Sequence, residues 1–170
     1  MYEFQKQDSL QTLEQGIEEF YAINPAFKEI LEIDSPNTKV FKEHDYTHVL
    51  FGLGTSIEEE SLLDTYALWG TKFKWGPIIG FYRDPDYSKF IKSLVGKYGG
   101  WWSIFKIYVS LITFKLKIFR LCMKMTKRWD YHTPENYLNK TLKEIREEFN
   151  IKLLPLDDVP VGRFLETQKN

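Results

Sequence analysis

From Ser103 to Lys127 polar side chains recur at Ser103, Lys106, Ser110, Thr113, Lys117, Arg120, Lys124 and Lys127, a step of three or four every time. An α-helix turns once in 3.6 residues and a strand alternates with a period of two, so this spacing is one polar stripe on a helix. It predicts a single long basic and aromatic helix from Trp101 to about Arg128, with Lys115 the one charged residue off the stripe. So broad an apolar surface calls for other helices to pack against it.

The rest of the chain supplies them. Ser9 is placed to cap a helix reaching about Tyr21, with Leu10, Leu13, Ile17 and Phe20 at helical spacing. Asn24-Pro25 opens a short second helix, since proline is tolerated in a first turn. A third runs from about Thr38 to Leu50 and ends near Gly52 and Gly54. Thr55-Ser56-Ile57-Glu58 has the form of a capping box and starts a fourth, from Ser56 to about Trp69. The segment GTKFKWGPIIGFYRDP reads as a surface loop, and Asp84-Pro85 opens a fifth helix to about Tyr98, stopped by Gly99-Gly100. Thr133-Pro134 begins a last helix, PENYLNKTLKEIREEFNI, with Leu138, Leu142, Ile145 and Phe149 inward, and residues 155–170 read as an extended tail. With 170 residues, no internal repeat and no linker, the expectation is one all-α domain: a compact bundle of about six helices with one long basic, aromatic helix.

A formal net charge of −1 argues against a nucleic-acid partner. The charge is unevenly placed, because ten Lys and Arg and no acid lie between Asp86 and Asp130. The longest uncharged run of the long helix, Ile107 to Phe114, is far short of the roughly 20 apolar residues that span a bilayer. Such a helix can lie in the interface of an anionic membrane or wall an apolar channel; it also fits the plain core helix of a bundle, and an exposed aromatic face is compatible with a homodimer. Lys74 and Arg83 are candidates to meet an anionic head group, and His132 reads as an ordinary loop histidine. The acid-bearing N-terminus resembles neither a signal nor a transit peptide, and Cys122 is the only cysteine, which leaves no intrachain disulfide. The expected location is cytoplasmic and peripherally membrane-associated.

Two of the three histidines stand four apart, in His44-Asp45-Tyr46-Thr47-His48. Residues at that spacing lie one above the other on a helix, so both imidazoles can aim at one point, as in paired-histidine metal sites. Asp45 is placed to be a further ligand or to orient an imidazole, and Glu60 can fold back from the next helix. The spacing by itself also fits two ordinary helix-face histidines. A zinc-protease signature is excluded, because Asp45 occupies the place of its glutamate base.

His44-Asp45-x-x-His48, eleven residues and then Glu60 resembles the HDxxH-x11-E signature of the ubiquinone (coenzyme Q) biosynthesis protein 4 family. HVLFGLGT is similar to the continuation found there, and PENYLNKTLKEIREEFNI to its closing helix. Glu59 stands where that family usually has glycine, and this chain is shorter and more basic in its middle. The resemblance implies His44, Asp45, His48 and Glu60 as metal ligands, most simply for zinc, with magnesium, manganese or iron as alternatives. It further implies an all-helical fold with an apolar channel for a polyprenyl tail, and a role in decarboxylating and hydroxylating a polyprenyl-hydroxybenzoate precursor of ubiquinone. Other enzymes of quinone biosynthesis are implied as partners. Two alternatives remain open: a non-catalytic scaffold that binds a prenylated lipid, and a metal-dependent hydrolase of an isoprenoid phosphate.

Overall fold

A computed structural model describes residues 1–25, 27–28, 38–72, 92, 95–96, 98–157 and 159. Among these residues six α-helices and two short 3-10 turns form an all-α fold without strands: α1 (Leu13–Ile23), α2 (Thr38–Phe51), α3 (Ile57–Gly70), α4 (Trp101–Ser110), α5 (Ile112–Cys122) and α6 (Leu142–Phe149). The turns are Glu3–Gln5 and Pro134–Tyr137. Most of the expected loop across residues 70–85 and of the expected fifth helix falls outside the described residues, as do Lys74, Arg83, the continuation of the second helix beyond Lys28 and nearly all of the tail, while Gly70 at the start of that loop belongs to α3.

The centre of the bundle is α2. Every residue from Asp45 to Phe51 is buried, so this half of the helix is enclosed on all sides, by α1 and the Glu3–Gln5 turn and by α3. Gly16 permits the close approach of α1, since a Cβ there would come within 2.6 Å of the Val49 side chain. Beyond α3 lies α5, its main neighbour, with α4 alongside both.

The long helix is two helices. Leu111 interrupts it with φ −92° and ψ 1°, and the second piece stops at Cys122 rather than near Arg128. The hydrogen bonds from Leu111 N to Ile107 O and from Lys115 N to Leu111 O carry the helical stack across the break, which is why the polar stripe keeps its phase. After a last turn through Met125 the backbone finds tertiary partners instead of helical ones: Thr126 N donates to Phe149 O and Trp129 N to Gly70 O. Those bonds draw the chain off the helix axis.

Caps explain the other differences from the expected boundaries. Thr12 with Gln15 starts α1, where Ser9 was expected to, and Ser9 is buried. Ser56 with Glu59 caps α3, one residue along from the pair Thr55 and Glu58. The last expected helix is divided, because Thr141 with Glu144 forms a new cap after the Pro134–Tyr137 turn. Each cap satisfies backbone donors that the first helical turn leaves free.

Candidate metal centre

His44 and His48 lie on α2 and Glu60 in the first turn of α3, and their donor atoms converge. The two imidazole Nε2 atoms are 3.1 Å apart. Glu60 offers Oε2 at 3.4 Å from His44 Nε2 and Oε1 at 3.3 Å from His48 Nε2. Donors about 2.1 Å from a single ion stand about 3.4 Å apart at the tetrahedral angle and about 3.0 Å at a right angle. The observed separations fit a divalent ion held by three protein ligands. Three ligands leave a coordination position for water or substrate, as catalytic zinc sites do.

The ring of His48 is fixed by the turn that ends α2. Gly52 takes φ 67°, a conformation that glycine adopts without strain, and this brings Leu53 back over the helix. Leu53 N donates to His48 O, and His48 Nδ1–H donates to Leu53 O at 3.3 Å. A carbonyl only accepts, so the proton sits on Nδ1 and Nε2 presents a lone pair to the site. Phe20 stacks on the buried imidazole at 5.1 Å between centroids. His44 and Glu60 stay about one-third exposed, which opens the centre on one side.

Asp45 is placed differently from the other three. Its side chain is buried and accepts a hydrogen bond from Tyr21 Oη at 3.0 Å, and it is not among the converging donors. Burial pushes its carboxyl up to about 6, against the pull of His44 and His48. Burial likewise opposes charge on Glu60, but the two histidines outweigh it and hold this carboxyl well below its ordinary range. Burial opposes charge on His44 too, but the hydrogen bond and charge of Glu60 together with the charges of Asp45 and Asp64 outweigh it and raise its pKa. The centre is therefore arranged to concentrate negative charge against imidazole, which suits a cation.

Several neighbours were not apparent in the sequence. Tyr131 Oη lies 3.5 Å from His44 Nδ1. Asp64, one turn beyond Glu60 on α3, accepts from Tyr108 Oη at 3.2 Å. Its i+4 relation to Glu60 was a readable signal; the tyrosines gave none. His132 is more than a loop residue, since its Nδ1–H donates to the buried carboxylate of Glu43 at 2.8 Å. Glu58 is buried with one oxygen unpartnered, while Glu59 takes the capping role that was expected of Glu58.

From Asp64 an apolar groove of about 520 Å³ runs between α3 and α5, walled by Leu68, Trp69, Ile112, Leu116 and Phe119, with Lys115 beside it. Comparison with the known protein families, with curated proteins and with solved structures finds no match to this chain.

Proposed function

We propose that the protein is a metal-dependent enzyme of quinone-lipid biosynthesis that decarboxylates, and in a further step hydroxylates, a prenylated hydroxybenzoate. The observation that carries this reading is the convergence of His44, His48 and Glu60, three of the four residues that the HDxxH-x11-E resemblance designates as ligands. These three would hold the ion, most simply zinc, and Asp45, held by Tyr21, would act on the two histidines through its charge. A bound divalent ion supplies Lewis acidity that binds and orients the oxygens of an aromatic head group.

The chain's own residues account for the rest of substrate binding. The groove along α3 and α5 is of a size and polarity to receive an isoprenoid tail, and its Asp64 end lies within electrostatic reach of His44 and Glu60. Loss of the carboxyl group as carbon dioxide leaves its bonding pair on the ring carbon, which takes a proton. Hydroxylation at that carbon requires dioxygen and a reductant in addition.

A lipid surface is the proposed location of the substrate. No helix among the described residues is long and apolar enough to cross a membrane. Trp101 and Trp102 are each 67% exposed, with Phe105, Val109, Ile112 and Leu116 following along α4 and α5. Lys106, Lys117 and Arg120 are exposed on the same helices, a pattern that suits an anionic bilayer.

The test is release of labelled carbon dioxide from a carboxyl-labelled prenylated hydroxybenzoate by zinc-loaded protein. The reading expects release by wild type and none by His48→Ala. No release by either, with retention of the prenylated lipid, favours the scaffold; release of inorganic phosphate from a prenyl phosphate favours the hydrolase.

A further inference from the structure

Two adjacent residues of α2 each meet one of two adjacent residues of the loop that follows α5. Glu43 binds His132 at 2.8 Å, and His44 meets Tyr131 at 3.5 Å. The loop is anchored immediately before this clasp, where Trp129 N donates to Gly70 O and Lys72 N to Trp129 O. Its position relative to α3 and α2 is thus set within four residues. Glu43 is 4% exposed and Tyr131 2%, so neither contact is a passing surface encounter. His132 Nε2 is buried without a hydrogen-bond partner, which leaves Glu43 as the side-chain anchor of that ring among the described residues.

We infer that Tyr131 orients the metal ligand His44, accepting from its Nδ1–H so that Nε2 faces the centre, and that the Glu43–His132 pair holds Tyr131 in place. The inference rests on the metal reading of the site. It makes the two histidines equivalent: His48 has its Nδ1 held by the Leu53 carbonyl, and His44 has the same atom held by a phenol oxygen. Ligand histidines are commonly fixed in this way by an acceptor on the far nitrogen, and loss of that acceptor costs about 10- to 100-fold in metal affinity. Tyr131 is a positioning residue in this account, as it touches the ligand and not the ion.

The experiment is zinc titration against a chromophoric chelator for wild type, Tyr131→Phe, His132→Ala and the double variant, with long-range proton–nitrogen spectra of the zinc-loaded proteins to assign which His44 nitrogen keeps its proton. Tyr131→Phe keeps the buried ring and removes one oxygen; thermal melts confirm that each variant folds. The expected result is a loss of zinc affinity of about 10-fold or more in Tyr131→Phe, with a mixed His44 tautomer and an unchanged His48. His132→Ala should lose less, and should cost nothing further once Tyr131 is already Phe, because it acts through that residue. Wild-type affinity in Tyr131→Phe with the His44 tautomer intact overturns the inference alone, as does an additive loss in the double variant. A wild type that takes up no zinc overturns the metal reading and the inference with it.

Discussion

At the scale of single residues, the candidate metal centre was legible where its geometry is local and hidden where it is not. His44 and His48 share a helix, so their spacing alone puts them on one face. Tyr21 and Tyr131 reach Asp45 and His44 across 24 and 87 residues of sequence, and no periodicity reports such a meeting. Cys122, by contrast, reads as a packing residue and is one. It is 6% exposed, and burial pushes its thiol up to about 12. At about pH 8 the thiol keeps its proton, and the reactive thiolate is scarce. Cys122 should therefore resist alkylation by iodoacetamide in the native protein and react promptly in denaturant, as mass spectrometry of the quenched reactions will show. A folded pKa above the unfolded one means that the folded state keeps its proton longer, so the contribution of this thiol to stability falls as pH rises from about 9 towards 12.

At the scale of elements, the end of α2 was readable because Gly52 stops it with a backbone conformation that glycine favours. The start of α3 was ambiguous by one residue, since Thr55-Ser56 is followed by Glu58-Glu59 and either hydroxyl can pair with the acid three ahead. The structure selects Ser56 and Glu59, and Glu59 also accepts from Gly54 N at 2.8 Å. Glutamate in the place where the resembled family has glycine thus has a structural use here. Ser56→Ala should destabilise the protein by about 1 kcal/mol in urea denaturation and loosen the turn that presents Glu60. Thr55→Ala, which loses a contact with the Asn24 side chain and no cap, should cost less. The break at Leu111 carries no proline or glycine to announce it, because the stripe on either side stays in phase. Gly16 marks the other hidden constraint. Gly16→Leu should force α1 from α2 and lower stability by about 1–3 kcal/mol, read from the same denaturation curves.

At the scale of the whole molecule, an all-α bundle followed from helical periodicity, but the residue that ties it together did not. Arg146 sits in EIREEF, where it reads as a solvated helix position, yet it is buried. Its guanidinium donates to Val49 O and Leu50 O at the end of α2 and to Phe4 O and Lys6 O at the N-terminus. The α2 carbonyls are the negative end of the helix that carries both histidines, and a planar fork of five donors matches them as a lysine cannot. Burial lowers its pKa to about 10, which leaves it charged at neutral pH. Arg146→Lys should lower stability by about 2–4 kcal/mol, since several buried carbonyls would lose their partners, and urea denaturation will measure it. The account as a whole stands on the claim that His44, His48 and Glu60 hold a divalent ion. Its most direct test is plasma mass spectrometry of the purified protein beside His44→Ala/His48→Ala, each also incubated with zinc, magnesium, manganese and iron and then desalted. The account predicts near-stoichiometric metal in the wild type and its loss in the folded double variant; no metal in either protein, or equal metal in both, would contradict it.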